Sequence, residues 1–255
     1  MTNSIHLVPR LFGLIGYPLT HSFSKKYFSE KFEQEGIAGA HYELFPLTAI
    51  QELPELMAKQ PNLVGLNVTI PYKEQVMAYL DALDAGAAAV GAVNCIHFVN
   101  GRSTGYNTDV YGFEQSLLNI LKEQKNKTQT ALVLGTGGAA KAVCYVLKKL
   151  EIDHRLVSRS PGIGDCTYED LDASVVEKYQ LIINTTPLGM APKVDACPPL
   201  PYDAIGASHI LFDLVYNPLE TLFLQKGKER GAVVKNGLEM LHLQAERAWQ
   251  IWNRQ

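Results

Sequence analysis

Three glycines follow a short apolar run in the middle of the chain, and their spacing suits a loop that lies against phosphate. The apolar run is residues 131–134, and Gly135-Thr136-Gly137-Gly138-Ala139-Ala140 comes directly after it. Gly135 permits a tight turn, Gly137 lets the backbone approach a pyrophosphate, and Ala140 lets a following helix pack closely. A helix-patterned segment follows, so its unpaired N–H groups would face the phosphates. We predict a nucleotide-binding turn; the alternative is a strand–helix turn that binds nothing.

The end of the next predicted strand indicates which nucleotide binds. An acidic residue there would accept the ribose 2′-hydroxyl of NAD, whereas an arginine would accommodate the 2′-phosphate of NADP. The strand ends in Ser158-Arg159-Ser160, and Asp153 precedes the strand, which places it at the opposite edge of the sheet. Arg159 could be a plain loop charge, but its planar fork of donors suits phosphate oxygens. We therefore predict NADP.

A strand over residues 64–70 places two neutral hydrogen-bonding side chains on one face. Leu66, Val68 and Ile70 alternate with Asn67 and Thr69, so the two polar side chains point the same way. Lys73 follows at the exit of the strand, and the pattern places it at the head of a helix around residues 76–80. An ammonium at this position is a candidate proton donor. The alternative is a solvent-exposed helix lysine.

Polar residues also mark the starts of two predicted helices. Ser22 and Ser24 flank the start of a helix over residues 22–35, where hydroxyls can cap the helix or donate to an oxyanion. Taken alone, this position favours capping. Asp109 precedes a helical segment over residues 110–122, and an acid there can simply stabilise the helix start.

The composition is that of an ordinary globular chain. Its 255 residues are 47% hydrophobic and 19% charged, with a net charge of −3, which gives a nucleic-acid partner no electrostatic support. No apolar run approaches the length of a membrane span, and the first ten residues lack a signal-peptide core, so we expect a cytoplasmic location. The four cysteines and seven histidines are scattered without a metal-ligand spacing, so we expect no metal site.

Strand and helix patterns alternate along the whole chain, which predicts an α/β fold. Strands are predicted over residues 12–17, 42–45, 64–70, 95–99, 131–134, 156–157, 181–184, 210–216 and 232–234. Helices are predicted over residues 22–35, 49–58, 76–80, 110–122, 168–179 and 221–230, after the glycine turn, and from Leu238. Thr185, Tyr216 and Gly237 fall at the carboxyl ends of strands, where ligands bind in parallel sheets. Gln244 is a polar residue on the last helix.

The motifs together resemble those of the shikimate dehydrogenase family over nearly the whole chain. The motifs that carry the resemblance are Gly16-Tyr17-Pro18, His21-Ser22-Phe23-Ser24, Asn67-Val68-Thr69-Ile70-Pro71-Tyr72-Lys73, Gly91-Ala92-Val93-Asn94, Asn107-Thr108-Asp109, Gly135-Thr136-Gly137-Gly138-Ala139, Asn184-Thr185-Thr186 and residues 237–245. The resemblance implies reversible, NADP-linked reduction of 3-dehydroshikimate to shikimate, on the route to aromatic amino acids. It also implies a mixed α/β substrate domain over residues 1–107, onto which a helix over residues 239–255 packs back. A doubly wound Rossmann-type NADP domain would cover residues 108–238.

The resemblance also implies a role for each matching residue. Substrate would be contacted by Ser22, Ser24, Asn67, Thr69, Lys73, Asn94, Asp109, Tyr216 and Gln244, with Lys73 and Asp109 as the catalytic pair. The cofactor would be contacted by Gly135, Thr136, Gly137, Gly138, Ala139, Ser158, Arg159, Thr185 and Gly237. The enzyme would act on shikimate as a monomer or homodimer.

The sequence departs from the family pattern at two motifs. Lys25 stands where the family usually has proline after the second serine, and Ser158-Arg159-Ser160 replaces the common Asn-Arg-Thr while keeping the cation. The chain also ends soon after Gln244. Two alternatives stay open: an NAD-using enzyme of this fold that accepts quinate, and a non-catalytic ligand sensor that retains the pocket. The absence of an acid after Val157 argues against the first, and the presence of both Lys73 and Asp109 against the second.

Overall fold

Two compact units make up the protein in this computed structural model, which describes residues 9–19, 22–123 and 128–254. The N-terminal unit runs to Thr108 and takes in the chain from Ala245 onward, and the central unit is Asp109–Gln244. His21, which belongs to the two-serine motif, lies outside the described residues.

The N-terminal unit is built on a mixed sheet of six strands. They are β1 (Arg10–Gly16), β2 (Ala40–Pro46), β3 (Leu63–Val68), β4 (Ala82–Leu83), β5 (Cys95–Val99) and β6 (Arg102–Tyr106), in the order β2-β1-β3-β5-β6-β4. β1 is parallel to β2 and β3, whereas β5 is antiparallel to β3 and β6. Asn100 and Gly101, with φ of 50° and 75°, form the tight turn between β5 and β6.

The described part of this unit before residue 108 has three α-helices, of which the first two are shorter than the sequence pattern predicts and the third was not predicted. They are α1 (Phe23–Gln34), α2 (Leu53–Lys59) and α3 (Ala85–Val90), with 3₁₀ turns at Ile50–Glu52 and Gln75–Tyr79. The prediction of a helix around residues 76–80 is wrong in type, because the chain must turn into β4 at Ala82 and only a five-residue 3₁₀ helix fits. Lys73 therefore lies in a turn before that 3₁₀ helix, and no α-helix begins there.

The central unit contains a parallel sheet that is doubly wound. Its strands are β7 (Thr130–Leu134), β8 (Asp153–Ser158), β9 (Cys166–Thr167), β10 (Leu181–Asn184), β11 (Ile210–Asp213) and β12 (Val233–Lys235), in the order β12-β11-β10-β7-β8-β9. β7 pairs with β8 on one side and with β10 on the other. The strand order reverses between β7 and β10, and in such sheets this switch point is where ligands bind.

Helices α4 (Thr108–Lys122), α5 (Gly138–Lys149), α6 (Ala173–Val176) and α7 (Leu222–Glu229) pack against this sheet. The predicted helix over residues 168–179 is wrong. Asp170 bonds back to Thr167 and closes a 3₁₀ turn, and Asp172 then caps α6, so two successive start signals divide the segment. The strand predicted to reach Tyr216 ends at Asp213, because Asp213 turns the chain by accepting a hydrogen bond from the Val215 amide at 3.0 Å.

The last helix, α8 (Leu238–Trp252), contributes its C-terminal part to the N-terminal unit. Trp252 is 2% exposed, and its indole N–H donates to the Ile96 carbonyl at 2.9 Å. A Cβ at Gly65 would lie 2.2 Å from the Trp252 ring nitrogen, so the helix can seat there only because residue 65 has no side chain. Phe12 and Phe28 complete the aromatic cluster, with ring centroids 5.1 and 5.3 Å from that of Trp252.

A fully buried carboxyl joins three elements of the central unit. Asp213, at the end of β11, accepts hydrogen bonds from Thr221 Oγ1 at 2.5 Å and from Asn184 Nδ2 at 3.0 Å, as well as from the Val215 amide. Burial raises the pKa of the Asp213 carboxyl to about 6, although these three donors oppose the rise. Asp213 thereby fixes the end of β10 and the start of α7 on either side of β11.

The raised pKa of Asp213 predicts a stability difference that depends on pH. Between about pH 4 and pH 6 the folded chain holds a proton that the unfolded chain has released, so the free energy of unfolding falls as the pH rises through this window. Asp213→Asn removes this titration while keeping the shape. Relative to the variant, the wild type should lose up to about 3 kcal/mol between pH 4 and pH 7, measured by chemical denaturation. Asp153→Asn, at an exposed position, controls for the lost charge. A difference that stays constant with pH would contradict this prediction.

Candidate active site

The loops after β7 and β10 lie side by side at the switch point of the central sheet. Gly135 has a φ of 111°, and a Cβ there would lie 2.7 Å from Thr185 Oγ1. Thr185 in turn donates to the Leu134 carbonyl from both its hydroxyl and its amide, at 2.7 and 3.0 Å. Residue 135 must therefore be glycine for two reasons, its left-handed backbone and the approach of Thr185.

The start of α5 offers unpaired backbone donors to open space. Gly137 is the N-cap residue and provides no side-chain cap, so the first amides of this 12-residue helix keep their N–H groups available. A Cβ at Gly137 would meet no heavy atom within 4 Å, which means that the missing side chain leaves room for a ligand. Ala140 is 1% exposed and packs against the sheet. These features fit a nucleotide pyrophosphate held at the helix N-terminus.

Arg159 follows β8 at the same carboxyl edge of the sheet. The Ser158 hydroxyl is buried and accepts a hydrogen bond from the Ser160 amide at 3.0 Å, which turns the chain so that Arg159 and Ser160 are exposed. Asp153 is the first residue of β8 and therefore lies at its opposite end. The Arg159 charge opposes the effect of burial on Tyr168, whose pKa is raised to about 12. Arg159 thus places a cation at this edge of the sheet.

Asn184 shapes the loop that follows β10. It is fully buried, and its Oδ1 accepts from the amide and the hydroxyl of Thr186 at 3.0 and 2.6 Å. Its Nδ2 donates to Asp213 at 3.0 Å. Both ends of the amide are therefore engaged inside the protein. Asn184 thereby fixes the loop that carries Thr185.

In the N-terminal unit, Ser22 holds the N-cap position of α1 but does not cap the helix. Its side chain makes no capping hydrogen bond. Its hydroxyl oxygen is buried and has no hydrogen-bond partner in the described part of the chain, a property shared there only with the Tyr168 hydroxyl. The capping interpretation of Ser22 is thus wrong. A buried hydroxyl without a partner costs about 1–3 kcal/mol, which points to a ligand that supplies one.

Asn67 and Thr69 lie at the carboxyl end of β3. Asn67 is 5% exposed, and the Thr69 methyl packs on Gly16, where a Cβ would lie only 2.4 Å from Thr69 Cγ2. The alternation predicted for the apolar residues holds for Leu66 and Val68, which are buried, but not for Ile70, which is 71% exposed. The strand ends at Val68, so the period of two stops before Ile70.

A backbone hydrogen bond holds Lys73 beside the residue that precedes Asn94. The half-buried Lys73 accepts a hydrogen bond at its carbonyl from the Val93 amide at 2.7 Å. Asn94 is 3% exposed, and its Oδ1 accepts from the Thr108 amide at 2.6 Å while its Nδ2 donates to the Thr108 hydroxyl at 3.0 Å. Asn94 therefore caps α4, in which Asp109 is the second residue.

The central unit positions the remaining predicted residues. A Cβ at Gly237 would lie 2.1 Å from the Leu214 carbonyl oxygen, so the turn into α8 requires glycine. A Cβ at Gly112 would lie 3.1 Å from Gln244 Cβ. Helices α4 and α8 therefore pack closely at Gln244. Asp109 is buried one turn before Gly112. Tyr216 is half-buried, and burial raises its pKa, so its hydroxyl stays protonated.

Two residues with structural importance at the site were not identified from the sequence. Tyr42, in β2, donates from its hydroxyl to Asn67 Oδ1 at 2.8 Å, and Asp213 orients Asn184. A sequence signal existed for Asp213, because it interrupts the apolar run Ile210-Leu211-Phe212 at a strand end. For Tyr42 there was none, since a tyrosine in an alternating strand is typical of a core.

The described residues contain neither a cluster of metal ligands nor a helix that could span a membrane. Within residues 9–19, 22–123 and 128–254, no group of three or more His, Cys, Asp or Glu side chains could hold a metal ion. Over the same residues, every helix is too short or too polar to cross a membrane.

A family model and several known proteins are similar to this chain. A family model described as the shikimate dehydrogenase substrate binding domain matches residues 14–96. Shikimate dehydrogenase (NADP(+)) of Clostridium beijerinckii is 42% identical over 253 residues, covering 94% of this chain and 91% of the relative. That of Methanococcus aeolicus is 36% identical over 258 residues, covering 95% and 91%.

A solved structure agrees over the same length. Shikimate 5-dehydrogenase of Thermus thermophilus, crystallised with NADP(H) and shikimate, superimposes with a TM-score of 0.84 at 31% identity and covers 96% of this chain and 93% of that one. Because relatives above 30% identity match almost its whole length, the chain belongs to the shikimate dehydrogenase family.

Proposed function

We propose that this chain catalyses the reversible, NADPH-dependent reduction of 3-dehydroshikimate to shikimate in the route to aromatic amino acids. The N-terminal unit, which contains the stretch matched by the substrate-domain model, would bind shikimate, and the central unit would bind NADP. The observation that carries the substrate assignment is the buried Ser22 hydroxyl without a partner at the start of α1. A substrate carboxylate would accept a hydrogen bond from it and would be favoured by the positive end of the α1 dipole.

The Ser22 assignment predicts an effect on binding with little effect on stability. Ser22→Ala should raise the KM for shikimate about tenfold or more while changing kcat less, because a carboxylate remote from the reacting carbon is held alike in ground and transition states. Its free energy of unfolding should stay equal or rise, since the hydroxyl is unsatisfied in the free protein. Ser116→Ala, which removes a buried hydroxyl bonded to Glu239 at 2.7 Å, is the control and should lose stability at unchanged KM. If Ser22→Ala instead lost stability at an unchanged KM for shikimate, Ser22 would be a helix cap and not a substrate contact.

The other polar residues suit a polyhydroxylated ring. We assign ring and carboxylate contacts to Ser22, Ser24, Asn67, Thr69, Lys73, Asn94, Asp109, Tyr216 and Gln244. Neutral amides and hydroxyls can each donate to or accept from an alcohol, so they bind ring hydroxyls without placing a buried charge beside them. The positions of Asn67 and Asn94 support this assignment, since both are at least 95% buried and both are fixed by bonds to the protein.

Lys73 and Asp109 are the proposed proton-transfer pair. The glycine turn and Arg159 would hold NADPH, which would supply a hydride to the carbonyl carbon, so the carbonyl oxygen would need a proton. Lys73 donates a proton to that oxygen and takes one back in the direction of shikimate oxidation. Asp109 provides the carboxylate of the pair. The Val93 bond to the Lys73 carbonyl supports this role, because it holds the backbone of the donor beside Asn94.

Lys73→Met tests this role, because methionine has similar length but no transferable proton. We expect kcat to fall by roughly 10²–10⁴ with far less change in shikimate affinity. Lys59→Met, at an exposed position of the same unit, is the control and should retain full activity. If kcat of Lys73→Met stayed within a few-fold of wild type while KM rose, Lys73 would be a binding residue, and the proton donor would have to be Asp109 or Tyr216.

The cofactor assignment rests on the glycine cradle and on Arg159. Backbone around the pyrophosphate would come from Gly135, Thr136, Gly137, Gly138 and Ala139, with Ser158, Arg159, Thr185 and Gly237 completing the site. The open space at Gly137 supports this, and the exposed Arg159 at the end of β8 supports NADP over NAD. An enzyme that used NAD with quinate would need an acceptor for the 2′-hydroxyl, and residues 158–160 supply no acid.

Removing the Arg159 guanidinium should separate the two nucleotides. Arg159→Ala should weaken NADPH binding by about 1.5–3 kcal/mol, the usual range for a hydrogen bond to a charged group, and leave NADH binding nearly unchanged. Isothermal titration with both nucleotides measures the difference. Arg155→Ala, four residues earlier on β8, is a matched control that should change neither affinity. Equal losses for both nucleotides would exclude contact between Arg159 and the 2′-phosphate.

We further propose that the enzyme works in the cytoplasm as a monomer or homodimer and has no nucleic-acid partner. The net charge of −3 supports the last point, because non-specific binding to nucleic acid depends on basic surface. A single assay of NADP reduction with shikimate and with quinate distinguishes the enzyme from a non-catalytic sensor.

A further inference from the structure

The Tyr42 side chain contacts one of the residues assigned to substrate. Its hydroxyl donates to Asn67 Oδ1 at 2.8 Å, and its ring stacks on Phe28. Phe28 lies in α1, and Asn67 lies near the end of β3. Tyr42 comes from β2, which pairs with β1 and not with β3. One side chain therefore connects three separate elements.

The Tyr42 ring is held rigidly. It is 3% exposed and stacks on Phe28 with ring centroids 4.8 Å apart and planes inclined by 12°. The Trp252 ring lies against the same pair, with its centroid 6.4 Å from that of Tyr42. Burial raises the pKa of Tyr42 well above its usual value, so the hydroxyl keeps its proton. A rigid, protonated hydroxyl is suited to hold another side chain in one orientation.

Asn67 has two ways of turning its amide, and the Tyr42 hydroxyl selects one. Because Tyr42 donates to Oδ1, the Nδ2 group is directed away from Tyr42. The Asn94 carbonyl lies 3.4 Å from Nδ2, which is longer than the usual 2.7–3.2 Å of an N–H···O bond. Asn67 thus retains donor capacity for a ligand hydroxyl. The flipped amide would present an acceptor instead and would leave Tyr42 facing an N–H donor.

We propose that Tyr42 is a positioning residue for substrate binding, which acts by holding the Asn67 amide with its N–H groups directed to the ligand. This inference rests on the proposed function, since it assumes that Asn67 contacts the substrate. Tyr42 itself does not touch the ligand. Its effect should appear in the affinity for shikimate and should depend on the presence of Asn67.

Tyr42→Phe is the direct test, because it removes the hydroxyl and keeps the stacked ring. We expect the KM for shikimate to rise about five- to tenfold, with kcat within about threefold of wild type and the KM for NADP unchanged. Tyr72→Phe is the matched control. Tyr72 is also 3% exposed in the same unit, and its hydroxyl donates to the Leu47 carbonyl at 2.6 Å. The control should lose thermal stability without a change in the KM for shikimate.

A double-mutant cycle separates positioning from a general loss of stability. If Tyr42 acts through Asn67, the KM of Tyr42→Phe combined with Asn67→Ala should stay within about twofold of the KM of Asn67→Ala alone. Fold-changes that multiply in the double variant would overturn the inference, as would an unchanged KM in Tyr42→Phe when Asn67→Ala raises it. If Asn67→Ala leaves the KM for shikimate unchanged, the proposed substrate contact of Asn67 fails, and the positioning role fails with it.

Discussion

The close approach of two loops at the switch point of the central sheet is the constraint on which the cofactor side of the molecule depends. Gly135 can turn toward α5 only with a φ of 111°, and Thr185 occupies the space that a side chain at residue 135 would need. The Thr185 hydroxyl also donates a hydrogen bond to the Leu134 carbonyl. Since the turn and the neighbouring loop fix each other, the first amides of α5 are held in place before any ligand arrives. A preorganised set of donors stabilises a bound anion without a further ordering cost.

Hydrogen-bonded networks of buried polar side chains fix loops in both units. In the central unit, Asp213, Asn184 and Thr221 satisfy one another, and in the N-terminal unit Asn94 is satisfied by Thr108. Each of these networks lies where a strand gives way to a loop or a helix. Buried polar groups of this kind contribute little net stability, but breaking one leaves its partner unsatisfied. Their arrangement therefore specifies loop conformation at the site more than it stabilises the fold.

The sequence supports the fold class and the cofactor turn because those features have local causes. Consecutive residues carry the pattern of strand, glycine turn and helix, and Arg159 directly follows the end of β8. Helix lengths were harder to predict, as residues 168–179 show. There Asp170 and Asp172 each begin a new turn, and the apolar pattern alone carries no information on which start signal prevails. The role of Tyr42 depends on contacts among β2, β3 and α1, which are distant in sequence. No local pattern records such contacts.

The two unsatisfied hydroxyls among the described residues are alike in burial but differ in surroundings. Tyr168 follows the edge strand β9 and packs against an apolar cluster that includes Val157, Cys166 and Leu171, so its hydroxyl is a cost of packing a large ring there. The Ser22 hydroxyl cannot be explained by packing in this way. An alanine would fill the same position without leaving a donor unsatisfied. Ser22 also stands at the start of a 12-residue helix that has no side-chain cap, where the helix dipole is positive. A buried donor without an acceptor at the positive end of a helix is unfavourable for the free protein and favourable for an anion. A carboxylate at the start of α1 satisfies the serine and the helix together, which is why we place the substrate carboxylate there.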